Sequence, residues 1–147
     1  MTVANDVRVA IYEGFIEHGR APTNEEIGRH LGLRLDEVRG GLNELAASDV
    51  IAFHPGTEDL WLAHPFCATD GPFTVAAGSR RWDAICIWDA LGILVILGTD
   101  GEVTTACPDC REPLTVSVVG GAVSGPDDHV VHFGVPARSW YEDVGYT

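Results

Sequence analysis

The apolar positions of this chain change their period part-way along it. Up to Leu45 they recur every three or four residues, as on one side of a helix. Val7, Ile11, Phe15 and Ile16 mark a first helix with Gly19 as its stop. Thr23-Asn-Glu-Glu26 has the form of a capping box, in which the Thr23 hydroxyl satisfies the amide of Glu26 and the Glu26 carboxylate reaches back. It opens a short helix through Ile27 and Leu31. Gly32-Leu33 makes a turn, and a third helix begins near Leu35 with Val38, Leu42 and Leu45 inward. Val50–Phe53, the turn His54-Pro-Gly-Thr57 and Leu60-Trp-Leu62 then read as a two-stranded hairpin. Residues 1–62 thus carry the pattern of a winged helix-turn-helix.

Residues 63–80, with Pro65, Gly71 and Pro72, read as a linker. The run from Arg81 to Gly92 reads as a helix. Beyond it the runs Ile93–Leu97, Glu102–Ala106, Leu114–Val118 and Val130–Val135 are rich in β-branched residues. They are separated by Asp100-Gly101, Cys107–Pro113 and Gly120–Asp128, which predicts strands. A small mixed sheet packed on a helix is the natural arrangement for residues 81–147. The fold class expected is α+β.

The helix at 81–92 also carries candidate chemistry. It places Cys86 and Asp89 three residues apart on one face, about 5–6 Å between Cβ atoms. Ile85, Ile87, Trp88, Leu91 and Ile93 surround them, so the face is expected to be buried. A carboxylate in apolar surroundings becomes a proton donor or acceptor. A thiol beside it is a soft ligand. The bland reading of Cys86 is a core residue, since free cysteine is among the most buried types. An inward Asp89 argues against that, because an unpaired buried carboxylate is costly.

Charge removes some classes of partner. The net charge is −13 and the nine cations are all arginines. Residues 1–60 hold five arginines against eleven acidic residues, a local charge of −6. The third helix, in the place of a DNA-reading helix, carries Asp36, Glu37 and Glu44 against Arg34 and Arg39. Nucleic-acid binding rests on neutralising phosphates, so no nucleic acid is expected, and an anionic membrane surface is equally unsuited. No apolar run reaches the roughly 18 residues of a membrane span. The N-terminus has neither the basic start nor the apolar core of a signal peptide, which makes the cytoplasm the default location. There the four cysteines are expected as free thiols or metal ligands.

The linked order of these features resembles the organomercurial (alkylmercury) lyases. The residues that carry the likeness are Leu60-Trp-Leu-Ala-His-Pro-Phe66 ahead of Pro72-Phe-Thr-Val75, then Cys86-Ile-Trp-Asp89. His129-Val-Val-His-Phe133, Val135-Pro136 and Trp140 follow. Members of that family cleave a carbon–mercury bond with two cysteines and an aspartate, and need no cofactor. The resemblance implies that Cys86 is the first cysteine and Asp89 the proton-handling acid. The second cysteine position, three residues before His132, holds His129. Imidazole is a harder donor than thiolate toward a soft ion, whereas Cys86, Asp89 and His129 would make an ordinary ligand trio for copper, zinc or iron.

Three functions therefore stand side by side. One is a lyase acting on a small organometallic substrate, retained or diverged. Another is a metal-dependent enzyme of different chemistry built on one ion held by Cys86, Asp89 and His129. The third is a non-enzymatic metal-binding or regulatory module. Cys107-Pro-Asp-Cys110 lies in an expected turn with the spacing of half a zinc knuckle, and so is a second, structural candidate pair. Cys67 is expected in packing, and His18, His30, His54 and His64 on surfaces or turns. His132 alternates away from His129 along the expected strand.

Overall fold

The computed structural model describes residues 2–145. They form two compact units, one ending at Thr69 and the other beginning at Asp70. The class is α+β, with four α-helices and eight strands among the described residues.

The first unit opens with three helices, α1 (Val3–His18), α2 (Asn24–Leu31) and α3 (Leu35–Ala47). Each begins where the sequence offers an acceptor for orphan amides. Thr2 accepts from the Asn5 amide at 3.3 Å, and Thr23 and Glu26 complete a capping box before α2. The Glu37 carboxylate accepts from the Arg34 amide at 2.9 Å at the start of α3. The predicted inward residues Val7, Ile11, Phe15, Ile27, Val38, Leu42 and Leu45 are all buried. Gly41 lets α3 approach α1: a Cβ there would lie 3.0 Å from Val7 Cγ2. After the helices come β1 (Ala52–Phe53), β2 (Leu60–Ala63) and β3 (Phe66–Cys67), paired antiparallel in that order. Phe66 is fully buried and stacks on Phe15 with ring centroids 4.8 Å apart. The Tyr12 hydroxyl donates to the His64 carbonyl at 2.8 Å, which ties α1 to the β2–β3 turn.

In the second unit, β4 (Phe73–Ala77) and β5 (Arg80–Ala84) form a hairpin, followed by α4 (Ile87–Leu97). Then come β6 (Gly101–Ala106), β7 (Pro113–Val119) and β8 (Ala122–Ser124). The strands lie in the order β5-β4-β6-β7-β8, all antiparallel. Helix α4 packs on β4, β5 and β6. Ala90, Ile93 and Leu94 enter a core with Val75, Trp82, Ala84 and Val103. The approach is close at Gly101, where a Cβ would lie 2.6 Å from Leu94 Cδ2 and 2.5 Å from the Ala76 carbonyl oxygen.

Three local expectations give way here. The run 81–92 is not one helix, because Arg80–Ala84 is a strand with Trp82 opposite Val75 and Asp83 opposite Thr74. Its alternation of exposed Arg81, buried Trp82 and buried Ala84 has a period of two, and five cross-strand pairs fix it. Ile93–Leu97 is not a strand but the second half of α4. No breaker stops that helix until Gly98, which takes the left-handed conformation at φ 59°. Packing on the sheet overrides the β propensity of the run. Val130–Val135 joins no strand, and Val130 is 87% exposed.

Candidate functional site

Strand β5 and helix α4 meet at the residues expected to carry chemistry. A Cβ on Gly71 would lie 2.5 Å from the Ala84 carbonyl oxygen, so the backbone holds the end of β5 tightly in place. Ile85 and Cys86 then turn the chain, and Cys86 becomes the N-cap of α4 in an extended conformation (φ −142°, ψ 164°). Its sulfur accepts the Asp89 amide at 3.3 Å, as a serine or aspartate oxygen does at an ordinary cap. Asp89 sits in the first turn, where the helix dipole favours negative charge. The expected neighbourhood of thiol and carboxylate therefore holds, but through a cap rather than through one helical face. Both side chains are half-buried rather than buried, and Trp88 between them is 66% exposed.

Burial pushes the Cys86 thiol above its ordinary pKa of 9.0, and the Asp89 carboxylate adds to this by its charge and by accepting a hydrogen bond from the thiol. The amides of Asp89 and Trp88 pull the other way by donating to sulfur. The net direction is upward, so at neutral pH the proton stays on sulfur. As the sulfur bonds to an incoming soft electrophile, the thiol proton can pass to the adjacent Asp89 carboxylate and be held close by.

His129 is not brought into this pair. Its Nδ1 lies 2.9 Å from the Asp128 carboxylate, on an exposed segment outside regular structure. Among the described residues no three His, Cys, Asp or Glu side chains gather as a metal site requires. The ligand trio Cys86, Asp89 and His129 for copper, zinc or iron is thus not assembled. The same holds for a structural zinc at Cys107 and Cys110. His132 is also exposed.

What the sequence reading missed is an aromatic group beside the pair. Phe133 meets Trp88 edge-on at 6.5 Å and Trp140 at 5.3 Å, and the Trp140 indole donates to the Val135 carbonyl at 3.1 Å. These contacts join the C-terminal segment to the first turn of α4. No periodicity announces them, since the residues come from separate stretches of the chain.

The turn between β6 and β7 holds the other thiol pair. The Cys107 amide donates to the Glu112 carbonyl at 2.8 Å, and the Arg111 amide to the Cys107 carbonyl at 2.9 Å. Arg111 takes φ 63°, a left-handed conformation that few side chains adopt. The Cys107 sulfur accepts from the amides of Cys110 and Asp109 and is in hydrogen-bond contact with the Cys110 thiol, which together lower its pKa.

The family model of the alkylmercury lyases (MerB) matches residues 66–147, more than half of the chain and all of the second unit. The chain belongs to the alkylmercury lyase family. Among solved structures, the crystal structure of the mercury-bound form of MerB2 is similar, with a TM-score of 0.65 at 20% identity. The likeness covers 86% of this chain and 60% of that one, and at this identity it speaks for the fold. No curated protein matches the chain. Family membership suggests a lyase.

Proposed function

We propose that this member of the family cleaves a carbon–mercury bond at Cys86 and Asp89. The observation that carries the reading is the contact of thiol and carboxylate at the N-terminus of α4, where Asp89 supplies both an amide and a side-chain acceptor to one sulfur. The substrate is an organomercurial, R–Hg–X, with X a small thiolate. As sulfur approaches mercury, the Cys86 proton passes to the Asp89 carboxylate, because metal coordination lowers the pKa of a thiol. A sulfur–mercury bond forms. The carboxylic acid then delivers the same proton to carbon, the carbon–mercury bond breaks, and R–H leaves. Mercury stays as Cys86–S–Hg–X, so atoms and charge balance with a single protein thiolate. The Asp89 and Trp88 amides steady the sulfur while it carries negative charge. The exposed Trp88 and its neighbours Phe133 and Trp140 offer an apolar surface for R.

His129 at the second cysteine position fits a diverged lyase in which the second thiolate comes from solution as X. Release of benzene from phenylmercuric acetate, with a small monothiol present, tests the reading. Loss of benzene in Cys86→Ser and in Asp89→Asn is expected. Unchanged release in either variant would overturn it. His129→Cys is expected to raise the rate at low monothiol, since it restores a second soft donor. The three-helix unit with its β1–β2 hairpin we read as winged-helix-like, and its acidic surface as unsuited to DNA.

A further inference from the structure

We propose that Cys107 and Cys110 form a second metal site, distinct from Cys86, that takes a soft d10 cation between two thiolates, with mercuric ion as the probe. Cys107 and Cys110 lie three residues apart within one turn, between β6 and β7. The backbone is locked by the reciprocal bonds of Cys107 with Glu112 and Arg111 at 2.8 and 2.9 Å. It reaches this shape only by holding Arg111 at φ 63°, a conformation usually left to glycine or asparagine. Both cysteines are free and Cys110 is exposed, so the pair is open to solvent.

The donor set selects the ion. Zinc and iron–sulfur centres want four ligands, and no third His, Cys, Asp or Glu joins the pair among the described residues. Mercuric, cuprous and silver ions are satisfied by two thiolates, and thiolate donors favour soft ions of this kind. The binding step is a ligand exchange without oxidation. A mercuric ion carried by two monothiolates forms bonds to the sulfurs of Cys107 and Cys110, and the two thiol protons leave on the released monothiols. The site does not depend on carbon–mercury cleavage, so its failure and that of the lyase reading are separable.

The test uses the full chain as Cys86→Ser, loaded with mercuric chloride in a monothiol buffer and weighed by native mass spectrometry. Two thiols on one turn present each other at a millimolar effective concentration, so the pair should hold mercury against about 0.1 mM monothiol, where a lone thiol does not. The expected result is a mercury adduct on Cys86→Ser, lost at least about tenfold in both Cys86→Ser/Cys107→Ser and Cys86→Ser/Cys110→Ser. Cys110 is exposed, and its replacement leaves the Cys107 backbone bonds in place. Retention in both double variants would place the metal elsewhere and overturn the proposal. So would the absence of an adduct on Cys86→Ser, or a Cys107–Cys110 disulfide that persists in the monothiol buffer.

Discussion

The two thiol centres of the second unit start from the same local device and end with opposite chemistry. In each, the sulfur accepts amides from the residues just after it: Trp88 and Asp89 for Cys86, Asp109 and Cys110 for Cys107. Amide donors alone favour the thiolate. At Cys107 they prevail, because the side chain is only partly covered and its neighbour is a second thiol that donates. At Cys86 they lose to burial and to a carboxylate that accepts the thiol proton. A short backbone motif therefore does not decide thiol reactivity. The wall behind the sulfur and the charge of its partner do.

Breaking the Cys86–Asp89 contact should have the largest effect. Asp89→Asn removes the proton acceptor yet keeps the helix and a side chain of the same size. Carbon–mercury cleavage should fall by about 10²–10⁴-fold, the usual range for a positioned general acid. Mercury uptake by Cys86 should survive, which hydrocarbon release and mass spectrometry measured together would show. Equal rates for parent and variant would dissolve the distinction between the two centres.

Next in size is the support behind Cys86. Leu94 is buried where α4 closes on β4 and β6. Leu94→Ala should cost about 2–5 kcal/mol in chemical denaturation, as large-to-small core changes do. It should also loosen α4 and raise alkylation of Cys86, while Cys107 reacts as before. A cost under about 1 kcal/mol would mean the helix is not held by this contact.

A direct comparison of the thiols comes third. At neutral pH iodoacetamide should label Cys107 before Cys86, by about tenfold or more, since only the thiolate is nucleophilic and the two pKa values move apart. Peptide mapping over a time course reads the order, and Cys86 labelled first would reverse the assignment.

The smallest effect is in stability against pH. A thiol whose pKa is raised by folding keeps its proton longer folded than unfolded. Its contribution is complete below the ordinary 9.0 and declines as pH rises through the higher folded value. Cys86→Ala should therefore flatten the fall of the urea midpoint above pH 9. Cys107 has the opposite sign: its contribution is present above the ordinary value and is lost as pH falls through the lower folded one. A midpoint profile unchanged by Cys86→Ala would show that burial at α4 does not hold the proton.

Sequence reading reached different depths in the two units. Helices α1–α3 follow from apolar spacing and caps, because their stabilising contacts repeat every three or four residues and the capping acceptors lie within one turn. Strands β6 and β7 were legible from β-branched runs between turn residues. The span from Arg80 to Leu97 reverses both of its local signals: a run with helical spacing starts as a strand, and a β-branched run ends as a helix. Five residues of alternation at Arg80–Ala84 are a weak signal until β4 lies alongside, and Gly92 looks like a stop although the helix runs through it to Gly98. The Phe133 contacts with Trp88 and Trp140 had no sequence signal at all.

By itself the sequence determined that Cys86 and Asp89 are neighbours. Three residues at the start of a helix bring a side chain and an amide together whether the first is an N-cap or lies inside the turn. It determined likewise that Cys107 and Cys110 share one tight turn. Only the tertiary structure decided how deep each sulfur lies, that His129 pairs with Asp128 rather than with Cys86, and that the C-terminal aromatics reach α4. Adjacency within a turn is set by covalent geometry. Burial and long-range partners depend on where the rest of the chain packs, and that is decided by the sum of many weak contacts.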